Sequence, residues 1–238
     1  MADTGLGDRA RGNRLLDGLS KTVLARLLPD LRLRKMGVKS TVARQHEPIE
    51  EIYFPLTCVL SVVARTGEEQ VVEAALIGNE GSSGVTPFLG VSTAGPLEIF
   101  TQIPGEALSM RARDFRSHLE RQPQLGALMG RYTQALLVQL AQSAACNRMH
   151  PARARCARWL LMAHERVGSE AFRLTQEFLS QMLGMRRATV SGIAAALQAE
   201  QIIRYVRGTM VVLNRQRLAA RSCGCYQIIR DEYARRLR

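Results

Sequence analysis

The sequence predicts a mixed α+β chain: a roll of short antiparallel strands, then a long helix, then a basic helical region. Three observations carry this expectation. Short β-like runs broken by turn residues fill residues 39–110. An apolar stripe of helical period starts just after Pro123. Nearly all the excess positive charge lies beyond residue 145.

In chain order, residues 1–13 are polar and mixed in charge and are expected to be frayed. Leu15, Leu16, Leu19, Val23, Leu24, Leu27 and Leu28 then form an amphipathic helical segment before Pro29. The runs EEIYFPL, CVLSVVAR, VVEAALIG, LEIFTQI and EALSMRA read as strands. Thr66-Gly67 and Pro104-Gly105 are their turn signals. Several short strands at this spacing predict an antiparallel barrel or roll. Helical texture returns near Phe115, and Pro123 suits the first turn of a long helix reaching about Met149. Leu125, Met129, Tyr132, Leu136 and Leu140 make a stripe on it, which either packs on the roll or pairs with a second copy. His150-Pro151 closes this helix and marks a boundary. A further helix, about Ala152 to Val167, turns Cys156, Trp159, Leu160 and Ala163 inward.

The segment LTQEFLSQMLGMRRATVSGIAAALQ, followed by IIRYVRGTMVVL, reads as a helix-turn-helix with a two-stranded wing. Leu179 and Leu183 face inward in the first helix, and the small Ser180 lies where the second must cross. Gly184 supplies a turn residue that takes positive φ without a Cβ clash. In the second helix Val190, Ile193, Ala194 and Leu197 fall at i, i+3, i+4 and i+7, one buried stripe. Arg187, Ala188, Ser191 and Gly192 lie opposite, free to enter a major groove.

Charge supports a nucleic-acid partner. Residues 1–145 carry 16 Lys+Arg against 15 Asp+Glu, whereas residues 146–238 carry 17 Arg, no Lys and 6 acids. Release of counterions from phosphates explains that asymmetry, and arginine suits planar phosphate contacts. No apolar run approaches the ~20 residues of a membrane helix, so no membrane partner is expected. The N-terminus is unlike a secretory leader, and five scattered cysteines make no disulfide framework, so a reducing cytoplasm is the expected compartment.

Strands, a long helix and a winged helix-turn-helix, in that order, resemble the Crp/Fnr family of bacterial transcription regulators across residues 20–220. The most specific parts are LTQEFLSQMLGMRRATV, LQAEQIIRYVRGTMVVL and IYFPLTCVLSVV. The resemblance implies an α+β architecture of a cyclic-nucleotide-binding-like sensor roll (14–121), a dimerisation helix (122–150), a winged helix-turn-helix (151–220) and a helical tail (221–238). It also implies a homodimer on double-stranded DNA. Two-fold reading of DNA needs a partner, so Leu125, Met129, Tyr132, Leu136 and Leu140 are expected to dimerise.

The family's base-reading positions fall on Arg187, Ala188 and Gly192. Arg187 keeps the family's arginine, which can pair bidentately with guanine. Ala188 and Gly192 depart from the usual glutamate and second arginine, so fewer directly read base pairs and more reliance on DNA shape are expected. Arg186 stands where the family has a capping serine, a loss of ~0.5–2 kcal/mol offset by a phosphate contact. Thr189, Arg204, Arg207 and Thr209 are further backbone-contact candidates.

In the roll, the family's cyclic-nucleotide cassette of Gly-Glu followed by an arginine runs here as LIGNEGSSGVTPFLGVSTAGPLEIF. Glu80 survives, but Lys, Arg and His are absent from Thr66 through Met110. A buried phosphodiester without a cation is costly, so cyclic AMP in the usual mode is not expected. Any effector is an unidentified small molecule. No N-terminal cysteine cluster exists for iron–sulfur sensing, and His46, His118, His150 and His164 are scattered, so no cofactor is expected. Cys223 and Cys225 read as packing residues of a terminal amphipathic helix with Tyr226, Ile229 and Tyr233, and no metal is expected there. With one histidine in the roll, a metal-dependent enzyme is unsupported, and no catalytic triad emerges. The alternatives are a DNA-coating architectural protein without an operator, or a β-roll with unrecognised small-molecule enzyme activity.

Overall fold

The computed structural model describes residues 4–65 and 71–237; the Thr66-Gly67 turn signal lies outside them. The chain begins with three short helices, α1 (Thr4–Ala10), α2 (Arg14–Asp17) and α3 (Lys21–Leu27), and a 3-10 turn at Leu28–Asp30. The roll follows: β1 (Arg32–Met36), β2 (Thr41–Ala43), β3 (Glu51–Pro55), β4 (Val59–Arg65), β5 (Val71–Ile77), α4 (Val85–Phe88), β6 (Leu97–Ile103) and β7 (Gly105–Arg111). Two antiparallel sheets, β1-β7-β3 and β2-β6-β4-β5, enclose its core. Then come α5 (Ala112–Arg121), the long α6 (Pro123–Met149) and α7 (Ala152–Val167). The head comprises β8 (Ala171–Arg173), α8 (Gln176–Leu183), α9 (Arg187–Ala199), β9 (Ile203–Val206) and β10 (Thr209–Val212). The head ends in α10 (Arg215–Arg221), and the tail is α11 (Cys225–Arg236).

Several expectations need correction. Part of the segment read as frayed is ordered, because Asn13 is fully buried and pinned. Its side-chain oxygen caps α2 by accepting from the amides of Leu15 and Leu16. Its Nδ2 donates to the carbonyls of Pro55 (2.9 Å) and Gly81 (3.0 Å). An asparagine that serves two buried carbonyls replaces water at both. The leucine-rich segment is not one helix: Gly18 ends α2, and Ser20 caps α3 by accepting from Val23 N–H. Strand structure starts at Arg32 rather than Lys39. β1 carries Arg32, Arg34 and Lys35 outward on a sheet edge, where charge blunts edge-to-edge pairing and hides the strand from hydrophobicity. The wing sheet has three strands, β8-β10-β9. Cys225 opens α11 and is buried with Tyr226, Ile229 and Tyr233, but Cys223 lies in the preceding turn and is half-buried.

The helical stripe on α6 also resolves differently. Leu125, Met129, Tyr132 and Leu136 are buried in this chain's own core, and Leu140 packs against it. Tyr132 donates its hydroxyl to Ser82 O (3.0 Å), and its ring lies 6.3 Å from that of Tyr233 on α11. The face left uncovered is smaller in residue size: Gln134, Leu137, Ala141 and Ala144 are exposed at steps of three, four and three, with the half-buried Gly130 one step before them. Leu137 keeps 55% of its surface exposed. Hydrophobicity marks the buried stripe, and the free stripe shows only in the fold.

One continuous core joins roll, helices and head. Polar ties cross between them. Arg166 of α7 donates Nε to Glu80 Oε1 (2.8 Å), Nη1 to Met162 O (3.0 Å) and Nη2 to Gln139 Oε1 (2.9 Å). Gln139 of α6 donates to Leu76 O (2.9 Å), and Trp159 Nε1 donates to Glu73 Oε1 (2.7 Å). Phe178 of α8 meets Phe100 of β6 edge-on at 6.1 Å. Glu80, the remnant of the cassette, thus finds its arginine on α7 rather than in the roll.

Candidate nucleic-acid interface

The two helices of the head are built by local chemistry. Thr175 caps α8 by accepting from Phe178 N–H (3.1 Å). Gly184 ends that helix at φ +59°, and Arg155 of α7 donates to Leu183 O (2.8 Å), satisfying a terminal carbonyl. Ser180 is buried, small enough for the crossing helix as its position predicts. On α9, Val190, Ala194 and Leu197 are buried and Ile193 packs against the core. Arg186 is the N-cap and its side chain makes no capping bond.

The opposite side of α9 presents Arg187, Ala188, Thr189 and Gly192 to solvent, and open space surrounds Gly192. Ser191 differs: it is half-buried and donates to Gln176 Oε1 (2.7 Å), so it braces α9 against α8. In the wing Arg204 is exposed on β9, and Thr209 is half-buried at the start of β10. Arg207 occupies the hairpin tip at φ +47°, followed by Gly208 at φ +77°, the left-handed pair of a two-residue hairpin turn. The tight turn aims the arginine away from the sheet. Arg173, absent from the sequence reading, is exposed on β8 in register with Thr209 and lines the same cleft as Arg207. Its signal was weak, because a three-residue strand carries little periodicity.

The charge of this region is sorted. Arg153 and Arg221 both pair with Glu200 at the end of α9, Arg215 pairs with Glu165, and Arg166 pairs with Glu80. Among the described residues, none bonds to the guanidinium of Arg173, Arg186, Arg187, Arg204 or Arg207. The paired arginines hold helices together; among the described residues Arg148, Arg217 and Arg230 are unpaired elsewhere, while the recognition helix and wing gather five unpaired ones.

The roll's glycine-serine loop is closed by its own contacts. Ser83 Oγ accepts from Tyr53 N–H (2.9 Å), and Ser82 Oγ accepts from Gly84 N–H (3.0 Å). A Cβ on Gly81 would sit 2.5 Å from the Tyr132 hydroxyl. The loop is packed on α6 and offers no cation.

Residues 154–221 match the Crp-like helix-turn-helix domain model. No curated protein sequence matches the chain. Among solved structures, the chain is similar to CLP, a c-di-GMP-responsive global regulator of Xanthomonas campestris, at 15% identity and TM-score 0.65. That match covers 81% of this chain and 99% of CLP. FixK2 of Bradyrhizobium japonicum matches at 16% identity and TM-score 0.64, over 81% of this chain and 98% of that one. A CRP-family transcriptional regulator of Thermus thermophilus matches at 15% identity and TM-score 0.64, over 79% of this chain and 96% of that one. No helix among the described residues is long and apolar enough to cross a membrane. Residues 154–221 are therefore a Crp-like helix-turn-helix domain, carried by a chain with the Crp/Fnr regulator fold.

Proposed function

We propose that the chain is a homodimeric, sequence-specific DNA-binding transcription regulator of the cytoplasm, and not an enzyme. The observation that carries this reading is the cluster of unpaired, exposed arginines at the start of α9 and on the wing sheet of a matched helix-turn-helix domain. An uncompensated cation cluster on a helix-turn-helix is the electrostatic counterpart of a phosphate backbone. Arg187 reads a guanine and Ala188 and Gly192 give clearance. Arg186, Thr189, Arg204, Arg207 and Thr209, together with Arg173, hold the backbone. Ser191 supports α9 rather than touching DNA.

Dimerisation runs through the free face of α6, with Gly130, Gln134, Leu137, Ala141 and Ala144 at the near-heptad spacing of a helix pair. The roll works by population shift: a change in it alters how α6 and α7 pack and so changes the spacing of two recognition helices. Cyclic AMP is not its effector in the usual mode, because the loop is filled by Tyr132 and Glu80 is spent on Arg166. DNase footprinting over random-pool-selected DNA tests the main reading. Protection of one two-fold site is expected, and uniform coverage would replace it with the architectural, DNA-coating alternative.

A further inference from the structure

Four soft or borderline metal ligands meet at the joint between α6 and α7. Cys146 and His150 are one turn apart at the end of α6, and Cys223 and Cys225 flank Gly224 at the start of α11. Their ligand atoms all lie within 4.8 Å of one another. Cys146 Sγ is 3.4 Å from Cys223 Sγ, and Cys225 Sγ is 3.6 Å from His150 Nδ1. We propose that these residues form a tetrahedral Cys3His site for a single zinc ion, which clamps the α6–α7 joint to the C-terminal tail.

The geometry favours one ion. Bonds of ~2.3 Å to sulfur and ~2.0–2.1 Å to nitrogen give tetrahedron edges of roughly 3.5–3.8 Å, close to the two short separations. Contraction of the longer edges on binding completes the set. A [4Fe–4S] cluster sets a separate iron under each thiolate and a [2Fe–2S] cluster splits its four ligands between two irons, so either spreads the four ligands wider than this single group. Three thiolates and an imidazole around Zn2+ carry a net charge of −1. Arg158 supplies the counter-charge. It is buried on α7, donates Nη1 to Met162 Sδ (3.3 Å), and has no hydrogen-bond partner at Nε. A buried guanidinium gains from anionic neighbours, and to the buried Glu73 carboxyl the zinc–thiolate centre would add a second.

The site's position gives it consequence. His150 caps α6 with its amide on Cys146 O (3.1 Å), directly before Pro151. Of the other two ligands, Cys223 lies in the turn after α10, which packs on α7, and Cys225 opens α11, which packs on α6. An ion there ties the end of the long helix to the tail and limits how α7 swings. Cys58 and Cys156 are buried elsewhere and take no part.

The test uses the full-length chain, purified in reducing buffer without chelator. Elemental analysis is expected to find about one zinc per chain, and apoprotein should take up about one Co2+. The cobalt form should show thiolate charge-transfer bands and the intense ligand-field bands of a tetrahedral site. Cys223→Ser combined with Cys225→Ser should abolish both while far-ultraviolet circular dichroism stays unchanged. Retention of stoichiometric metal by that variant overturns the site. So does bound iron with sulfide, or a wild-type chain that refuses both ions and carries a Cys146–Cys223 disulfide instead. If the double variant does not fold, the wild-type cobalt spectrum decides alone: absence of thiolate bands overturns the proposal. None of these readouts depends on DNA binding.

Discussion

Removing Arg166 should uncouple the head from the roll. Its side chain and that of Glu80 are 7% and 6% exposed, with the charged atoms 2.8 Å apart. Burial works against the guanidinium's charge, but Glu80 and neighbouring groups outweigh it and hold the pKa above its ordinary value. Arg166→Met keeps most of the stem and deletes three hydrogen bonds, leaving Glu80 buried with one amide donor, that of Gly78 at 3.3 Å. Breaking one partner of a buried pair costs about 3–5 kcal/mol, a large share of the ~5–15 kcal/mol that holds a protein folded. Adding Glu80→Gln removes the stranded charge, so the double variant should recover at least half of the loss. Urea unfolding by circular dichroism measures the cycle. The sole tryptophan, Trp159, reports the interface itself through its bond to Glu73. In Arg166→Met its fluorescence change should precede the loss of helicity. A cost below ~1 kcal/mol, or two single losses that simply add, would refute the idea that this pair is the latch.

Further expectations follow from the same geometry. Burial lifts the Glu73 carboxyl to about 7 from 4.5, against hydrogen bonds from Ser61 and Trp159 that lower it. The folded chain therefore keeps a proton that the unfolded chain releases, and stability falls as pH rises from about 4.5 to about 7, by up to ~3 kcal/mol. Glu73→Gln should flatten that slope in pH-dependent melts; an unchanged slope assigns it elsewhere. Arg187→Ala should cost ~1–3 kcal/mol of operator binding and relax preference at one base pair, whereas Arg207→Asn should weaken all sequences alike and lower the salt slope by about one. Asparagine is chosen because the turn holds residue 207 at positive φ. Equal effects of both on specificity would reverse these roles. Leu137→Glu should shift sedimentation toward monomer, while a dimer that persists places the interface on another face. Titration calorimetry should find no micromolar affinity for cyclic AMP, and such affinity would overturn the account of the closed loop.

Much of the architecture was legible in the residues because its signals are local. Short β-like runs broken by turn residues mark β3 to β7, Pro123 and Pro151 bracket α6, and Gly184 with the Val190 stripe builds the helix-turn-helix. What hid were elements whose stabilisation is not local. β1 is charged and exists because β7 pairs with it, β8 is three residues long, and the N-terminal segment is ordered through Asn13 reaching two distant carbonyls.

The sequence by itself determined the order of strands, long helix and helix-turn-helix, and that Arg187 lies opposite the buried stripe of the second helix. These depend on period, capping and turn chemistry within a few residues. Only the tertiary structure decided which face of α6 is free, which arginines are already paired, where Glu80 finds its partner, and that four ligands from Cys146 to Cys225 converge. Those outcomes depend on how distant segments pack, and hydrophobic periodicity states that a face is buried without stating against what.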